Sequence, residues 1–110
     1  MSARLASHIW VAAYLRRLQI AGLPAYVITR GDATAGAVLV KLAQMNGTAR
    51  AFMRGFDLER DGQVWQALVE GREPDVDAAI ARQRSFDPDL WVIEVEDARG
   101  RHMLDEPGLD

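Results

Sequence analysis

Val11, Tyr14, Leu15 and Leu18 recur at the i, i+3, i+4, i+7 spacing of one helical face and predict a helix over residues 4–21. Gly22 and Pro24 stop it. The opposite side carries a second apolar stripe, Leu5, Ile9, Ala13 and Ile20, with Arg16 set into it. A helix striped twice needs cover on two sides. A loop or the carboxyl-terminal residues would supply it from within the chain, and a second subunit would supply it from outside, as apolar patches left on a surface mark contact sites.

From residue 25 the period changes from helical to alternating, which predicts a β meander over 25–55. Asn46-Gly47 lies between two alternating runs and signals a two-residue type I′ hairpin, a turn whose two central residues both take φ > 0. In that register Leu42 faces Ala51, Val40 faces Met53 and Lys41 faces Phe52. One face would then be apolar, with Val38, Val40, Leu42, Ala49, Ala51 and Met53 packed under a helix. The other, wet face would carry Leu39, Lys41, Arg50, Phe52 and Arg54. Asp61-Gly62 marks another turn, with a returning strand over 64–69. Glu73-Pro74-Asp75 opens a second helix, because proline suits the first turn and carboxylates suit the positive end of the helix dipole. Pro88 closes it, and in "LWVIEVED" Trp91, Ile93 and Val95 alternate with Val92, Glu94 and Glu96 as a last long strand. The expectation is an α+β fold, a meander of antiparallel strands in the order α-β-β-β-β-α-β, with one domain over 1–104. Residues 105–110, "DEPGLD", read as a flexible tail.

Composition narrows the function classes. A chain of 110 residues, 49% hydrophobic and 26% charged, is an ordinary single globular domain. Zero cysteines leave no disulfide framework and no thiolate metal site, which fits a reducing compartment. The opening "MSARLASHIWVAAYLRR" breaks its apolar run with His8 and lacks the small-residue cleavage site of a signal peptide, and no stretch nears the roughly 20 apolar residues of a membrane span. These features predict a cytoplasmic protein with no membrane contact. A net charge of −3 argues against a general nucleic-acid binder.

Candidate chemistry is sparse. Asp87, Asp89, Glu94, Glu96 and Asp97 surround an apolar run, yet Asp87 and Glu96 would stand roughly 30 Å apart in an extended segment at about 3.3 Å per residue. They read as turn acceptors and solvating strand residues, so neither a metal nor a catalytic group is assigned to them. "RGDATAG" has glycines but no Lys-Ser/Thr ending and leads into a strand, which makes it a turn and not a phosphate loop. His8 and His102 form no ligand pair, Ser85 lacks a nucleophile-elbow context, and no cofactor is implied. The pattern with most chemical content is Lys41, Arg50, Phe52 and Arg54 on the wet hairpin face. Cations around an aromatic can hold a phosphate backbone and stack a base. An ordinary solvated face, with Phe52 under the aliphatic stems of its neighbours, explains the same pattern.

"HIWVAAYLRR", "RGDATAGAVLVKL", "NGTA" and "ARQRSFDPDLWVIEVEDARGRHML" together resemble a family of small bacterial proteins, domain of unknown function family 1491, over nearly the whole chain. The resemblance implies no activity. The reading is a non-enzymatic binding module that acts through self-association as a homodimer or through a protein partner, with Leu5, Ile9, Ala13 and Ile20 at the contact. Nucleic-acid or phosphorylated-ligand binding by the hairpin face is the alternative.

Overall fold

The computed structural model describes residues 5–110. The elements follow the expected order: α1 (Ser7–Ile20), β1 (Ala25–Thr29), β2 (Val38–Ala43), β3 (Thr48–Asp57), β4 (Gly62–Arg72), α2 (Glu73–Phe86) and β5 (Trp91–Glu96). Position 4, where the first helix was expected to begin, lies outside the described residues. The fold is α+β. Its five strands form one mixed sheet in the order β1-β5-β2-β3-β4, in which β5 runs parallel to β2 and every other pair is antiparallel. The meander is therefore limited to β2, β3 and β4. β1 and β2 are separated by the last strand, which α2 carries across from β4.

The apolar alternation of β5 shows why it sits centrally. Trp91, Ile93 and Val95 face one side and Leu90 and Val92 the other, all with 2% exposure or less, so this segment has a core on each face. α1 covers the first core through Trp10, Val11, Tyr14 and Leu18, and α2 covers the second through Val76 and Ile80. The expected helical face of α1 is the buried one.

The β2–β3 register differs from the type I′ expectation by one residue. Val40 pairs with Phe52, Lys41 with Ala51 and Leu42 with Arg50. The cause is a three-residue connection: Gln44 donates its amide to Thr48 across Met45, Asn46 and Gly47. Met45 and Gly47 take positive φ, at 64° and 87°, whereas Asn46 does not; its Oδ1 accepts the Thr48 amide and hydroxyl instead. A one-residue slip moves every side chain of one strand to the other face. Phe52, Arg50 and Arg54 therefore join Val40 and Leu42 beneath α1, while Leu39, Ala49 and Ala51 lie with Lys41 beneath α2. Neither face of the hairpin is wet.

The expected flexible tail is docked. Leu104 and Leu109 are each 1% exposed and belong to the α1-side core. The Leu109 carbonyl accepts from Arg54 Nη2 at 3.0 Å and Trp65 Nε1 at 2.9 Å, and the Pro107 carbonyl accepts from Arg17 at 3.0 Å. "RGDATAG" also has a structural task. Ala33 and Thr34 present carbonyls to the His8 and Ser7 amides at 2.9 and 3.1 Å, and Gly36 accepts from Ser7 Oγ at 2.6 Å. This loop takes up donors that the first turn of α1 leaves open.

Candidate functional site

Lys41 enters the sheet between two strands, opposite Glu94 of β5. Its side chain is 7% exposed, with Glu73 Oε2 and Asp77 Oδ1 each at 2.7 Å and Glu94 Oε1 at 3.3 Å. Glu73 and Asp77 are one helical turn apart at the start of α2, so the ion network pins that helix to the sheet. Burial opposes the lysine's charge, but hydrogen bonds to Asp77 and Glu73 and the charge of Glu94 prevail and hold its pKa above the ordinary value. A lysine held protonated is a fixed cation and not a nucleophile or base.

Lys41 thus lies on the opposite face of the sheet from Arg50, Phe52 and Arg54, and the four side chains proposed as one surface are not brought together. Phe52 is 5% exposed, beneath the His102 ring at 4.7 Å and the Arg50 guanidinium at 4.9 Å. Arg50 also pairs with Glu70 at 3.2 Å. Arg54 lies over Trp65 at 4.9 Å and Trp10 at 5.4 Å, and the two indoles are 5.3 Å apart. This aromatic wall borders a cleft of about 570 Å³ that Ser7, Gly36, Val38 and Met53 also line. This cleft was not legible beforehand, because its tryptophans are 55 positions apart and meet only where α1 packs against β4.

The carboxylates around β5 divide as separate structural groups. Asp87 Oδ1 accepts the Asp89 amide, Glu94 serves Lys41, and Glu96 accepts from the Tyr26 hydroxyl at 3.3 Å. Asp97 receives both the side chain and the amide of Arg101, and those hydrogen bonds draw its pKa down to about 2. Among the described residues no group of three or more His, Asp or Glu is arranged to hold a metal ion. His8 Nδ1 meets the Ala33 carbonyl at 2.8 Å, while His102 Nδ1 accepts the Leu104 amide at 3.0 Å, so the two histidines serve different loops. Ser85 Oγ is occupied by the Arg82 carbonyl at 2.6 Å.

What remains open is apolar. Leu5, Ile9 and Ile20 are 52%, 47% and 71% exposed, and Ala13 is exposed with them, so the second stripe of α1 has no cover among the described residues. Beside it lies a surface that the sequence reading missed. β1 is an edge strand on which Tyr26, Val27 and Ile28 are 50%, 42% and 53% exposed. Its signal was "AYVIT", an apolar run without a charge that alternation alone does not assign to an edge.

A mixed five-stranded sheet with a helix on each face defines a class of small α+β domain, and comparison with other proteins places the chain within it. The chain belongs to the DUF1491 family, described as "Protein of unknown function", which residues 5–105 match. It is similar to a DUF1491 protein from Caulobacter crescentus CB15 in a crystal structure, at 47% identity over 94% of this chain and 95% of that one, with a TM-score of 0.81. An NMR structure of a DUF1491 protein from the same organism gives 44% identity, 96% and 97% coverage and a TM-score of 0.81. A solution structure of a protein from A. tumefaciens is 29% identical, covers 86% of each chain and has a TM-score of 0.72. No curated protein matches.

Proposed function

We propose that this protein is a non-enzymatic binding module whose partner is a second copy of itself. The observation that carries the reading is the uncovered outer stripe of α1. Ile9, Ala13 and Ile20 point away from a helix face that Trp10, Val11, Tyr14 and Leu18 already seat on the sheet, and Leu5 is exposed just before the helix begins. Burial of a large aliphatic side chain is worth roughly 1.5–3 kcal/mol when complete, so three half-open ones are a substantial driving force for association. Closed two-fold dimers are the commonest arrangement that supplies such cover. A cytoplasmic location belongs to the same proposal and is supported by the cysteine-free composition.

Light scattering on the purified chain tests the reading. A dimer mass at high micromolar concentration is expected, and Ile9→Glu should give a folded monomer, since Ile9 is 47% exposed and makes no part of the core. A monomeric mass for the unmodified chain at that concentration would overturn it.

A further inference from the structure

We infer that the seam of the dimer is the free edge of β1, paired antiparallel with the β1 of a second copy about a two-fold axis at Tyr26. This rests on the self-association proposed above and adds to the outer stripe of α1 a backbone pairing at the sheet edge. The Glu96 amide donates to the Pro24 carbonyl at 2.9 Å, which makes that pair a hydrogen-bonded position of the β1–β5 ladder. Hydrogen-bonded and non-hydrogen-bonded pairs alternate along an antiparallel ladder. Tyr26, opposite Glu94, therefore directs its N–H and C=O toward β5, whereas Ala25 and Val27 direct theirs outward. Two such edges fit one another in one register: Ala25 of each copy meets Val27 of the other, which forms four backbone hydrogen bonds, and the two Tyr26 face each other across the axis.

The rest of the edge suits a second copy. Natural edge strands are protected by lysines, prolines, inward charges or bulges; "AYVIT" carries no charge or proline, and its irregularity between Val27 and Thr29 lies outside residues 25–27, which do the pairing, so two copies approach without like-charge repulsion. The exposed face of Tyr26 packs against the other Tyr26 on one side of the joined sheet, and Val27 packs against Ala25 of the other copy on the opposite side. A five-residue edge buries less than the roughly 800 Å² per partner of a standard interface, so the dimer belongs to the weak class and forms at micromolar concentrations and above.

Two variants test the seam. The chain has no cysteine, so Tyr26→Cys introduces a single thiol. Across a non-hydrogen-bonded pair the Cα atoms lie about 4.5 Å apart, within disulfide reach. Under mild oxidation Tyr26→Cys should form a covalent dimer at least about tenfold faster than Leu58→Cys, a control in the open β3–β4 turn at 86% exposure, because the paired thiols have a high effective concentration. Val27→Pro removes an outward amide and no hydrogen bond to β5, so it should remain folded and become monomeric by light scattering. Equal crosslinking at the two cysteine positions, together with a Val27→Pro chain that still dimerises, would overturn the seam. If Ile9→Glu is then the variant that dissociates, self-association through the outer stripe of α1 survives without it; a monomeric unmodified chain would remove both.

Discussion

Two side chains show how the folded chain holds its ionisable groups. Lys41 neutralises part of a cluster that, without it, would leave Glu73, Asp77 and Glu94 facing each other. Lys41→Met should therefore destabilise the fold by about 2 kcal/mol at neutral pH, below the 3–5 kcal/mol of a fully buried broken pair because the carboxylates keep part of their water. Unbalanced negative charge at the start of α2 is the cause, so added salt should screen part of the deficit. Urea midpoints at low salt and at about 1 M sodium chloride give the comparison; an undiminished deficit at high salt would show that lost packing, and not charge, is the cause. At His102 the dependence is on pH. Burial, reinforced by Arg50 and partly countered by Asp105, lowers its pKa below 6.5, and Nδ1 must stay unprotonated to accept the Leu104 amide. The unfolded chain takes up the proton first as pH falls, so the stabilisation is complete above pH 6.5 and is lost through the window beneath it. Wild-type protein should lose more thermal stability than His102→Asn between about pH 7.5 and about pH 5.5, because the Asn oxygen accepts the same amide without titrating.

At the scale of elements, the loops explain what strand and helix patterns leave open. Gly31 lies so close to the start of β5 that a Cβ there would stand 2.2 Å from the Asp89 carbonyl oxygen and 2.7 Å from the Trp91 amide nitrogen. Gly31→Ala must push backbone apart, and a loss of about 2–3 kcal/mol in chemical denaturation is expected, with α1 loosened because the same loop holds its first turn. Leu109→Ala, which opens the docked carboxyl-terminal segment, should cost about 2–4 kcal/mol; a loss near zero would mean that the segment contributes nothing to the core. These elements differ in how far the sequence reveals them. α2 was legible because Glu73-Pro74-Asp75 is a local signal at a helix start, and α1 because its buried face repeats over four turns. The hairpin register was not, since the Thr48 amide donates to Asn46 Oδ1 in an Asx turn that lengthens the connection by one residue, and the error carries through to the assignment of Lys41 and Phe52 to one face. The tail was misread for a similar reason. Leu109 is one apolar residue in a polar segment, and its carbonyl is held by Trp65 and Arg54, as that of Pro107 is by Arg17, all distant in sequence. The uncovered stripe of α1 was legible, but the β1 edge beside it depends on β5 inserting between β1 and β2, a topology that no local pattern encodes.

For the whole molecule, that insertion ties the edge of β1 to assembly of the sheet. Among the described residues β1 is held on the sheet by β5, so its outer edge exists only when the last strand has taken its place, and unfolding must remove that edge together with the core. No helix of the described residues is long and apolar enough to cross a membrane. If folding and pairing are coupled in this way, stability depends on concentration by mass action. Above the dissociation constant each tenfold increase in protein adds about 0.7 kcal/mol per chain, half of the 1.4 kcal/mol that a tenfold change carries, because two chains share each association. With an unfolding entropy of roughly 2.1 cal/mol/K per residue over 110 residues, the thermal midpoint should rise by about 3 °C per decade. Calorimetry from about 10 μM to about 1 mM should therefore show an upward drift in the unmodified chain and a flat midpoint in Val27→Pro, whose edge can no longer pair. A midpoint independent of concentration in both proteins would leave the exposed edge of β1 without its proposed partner.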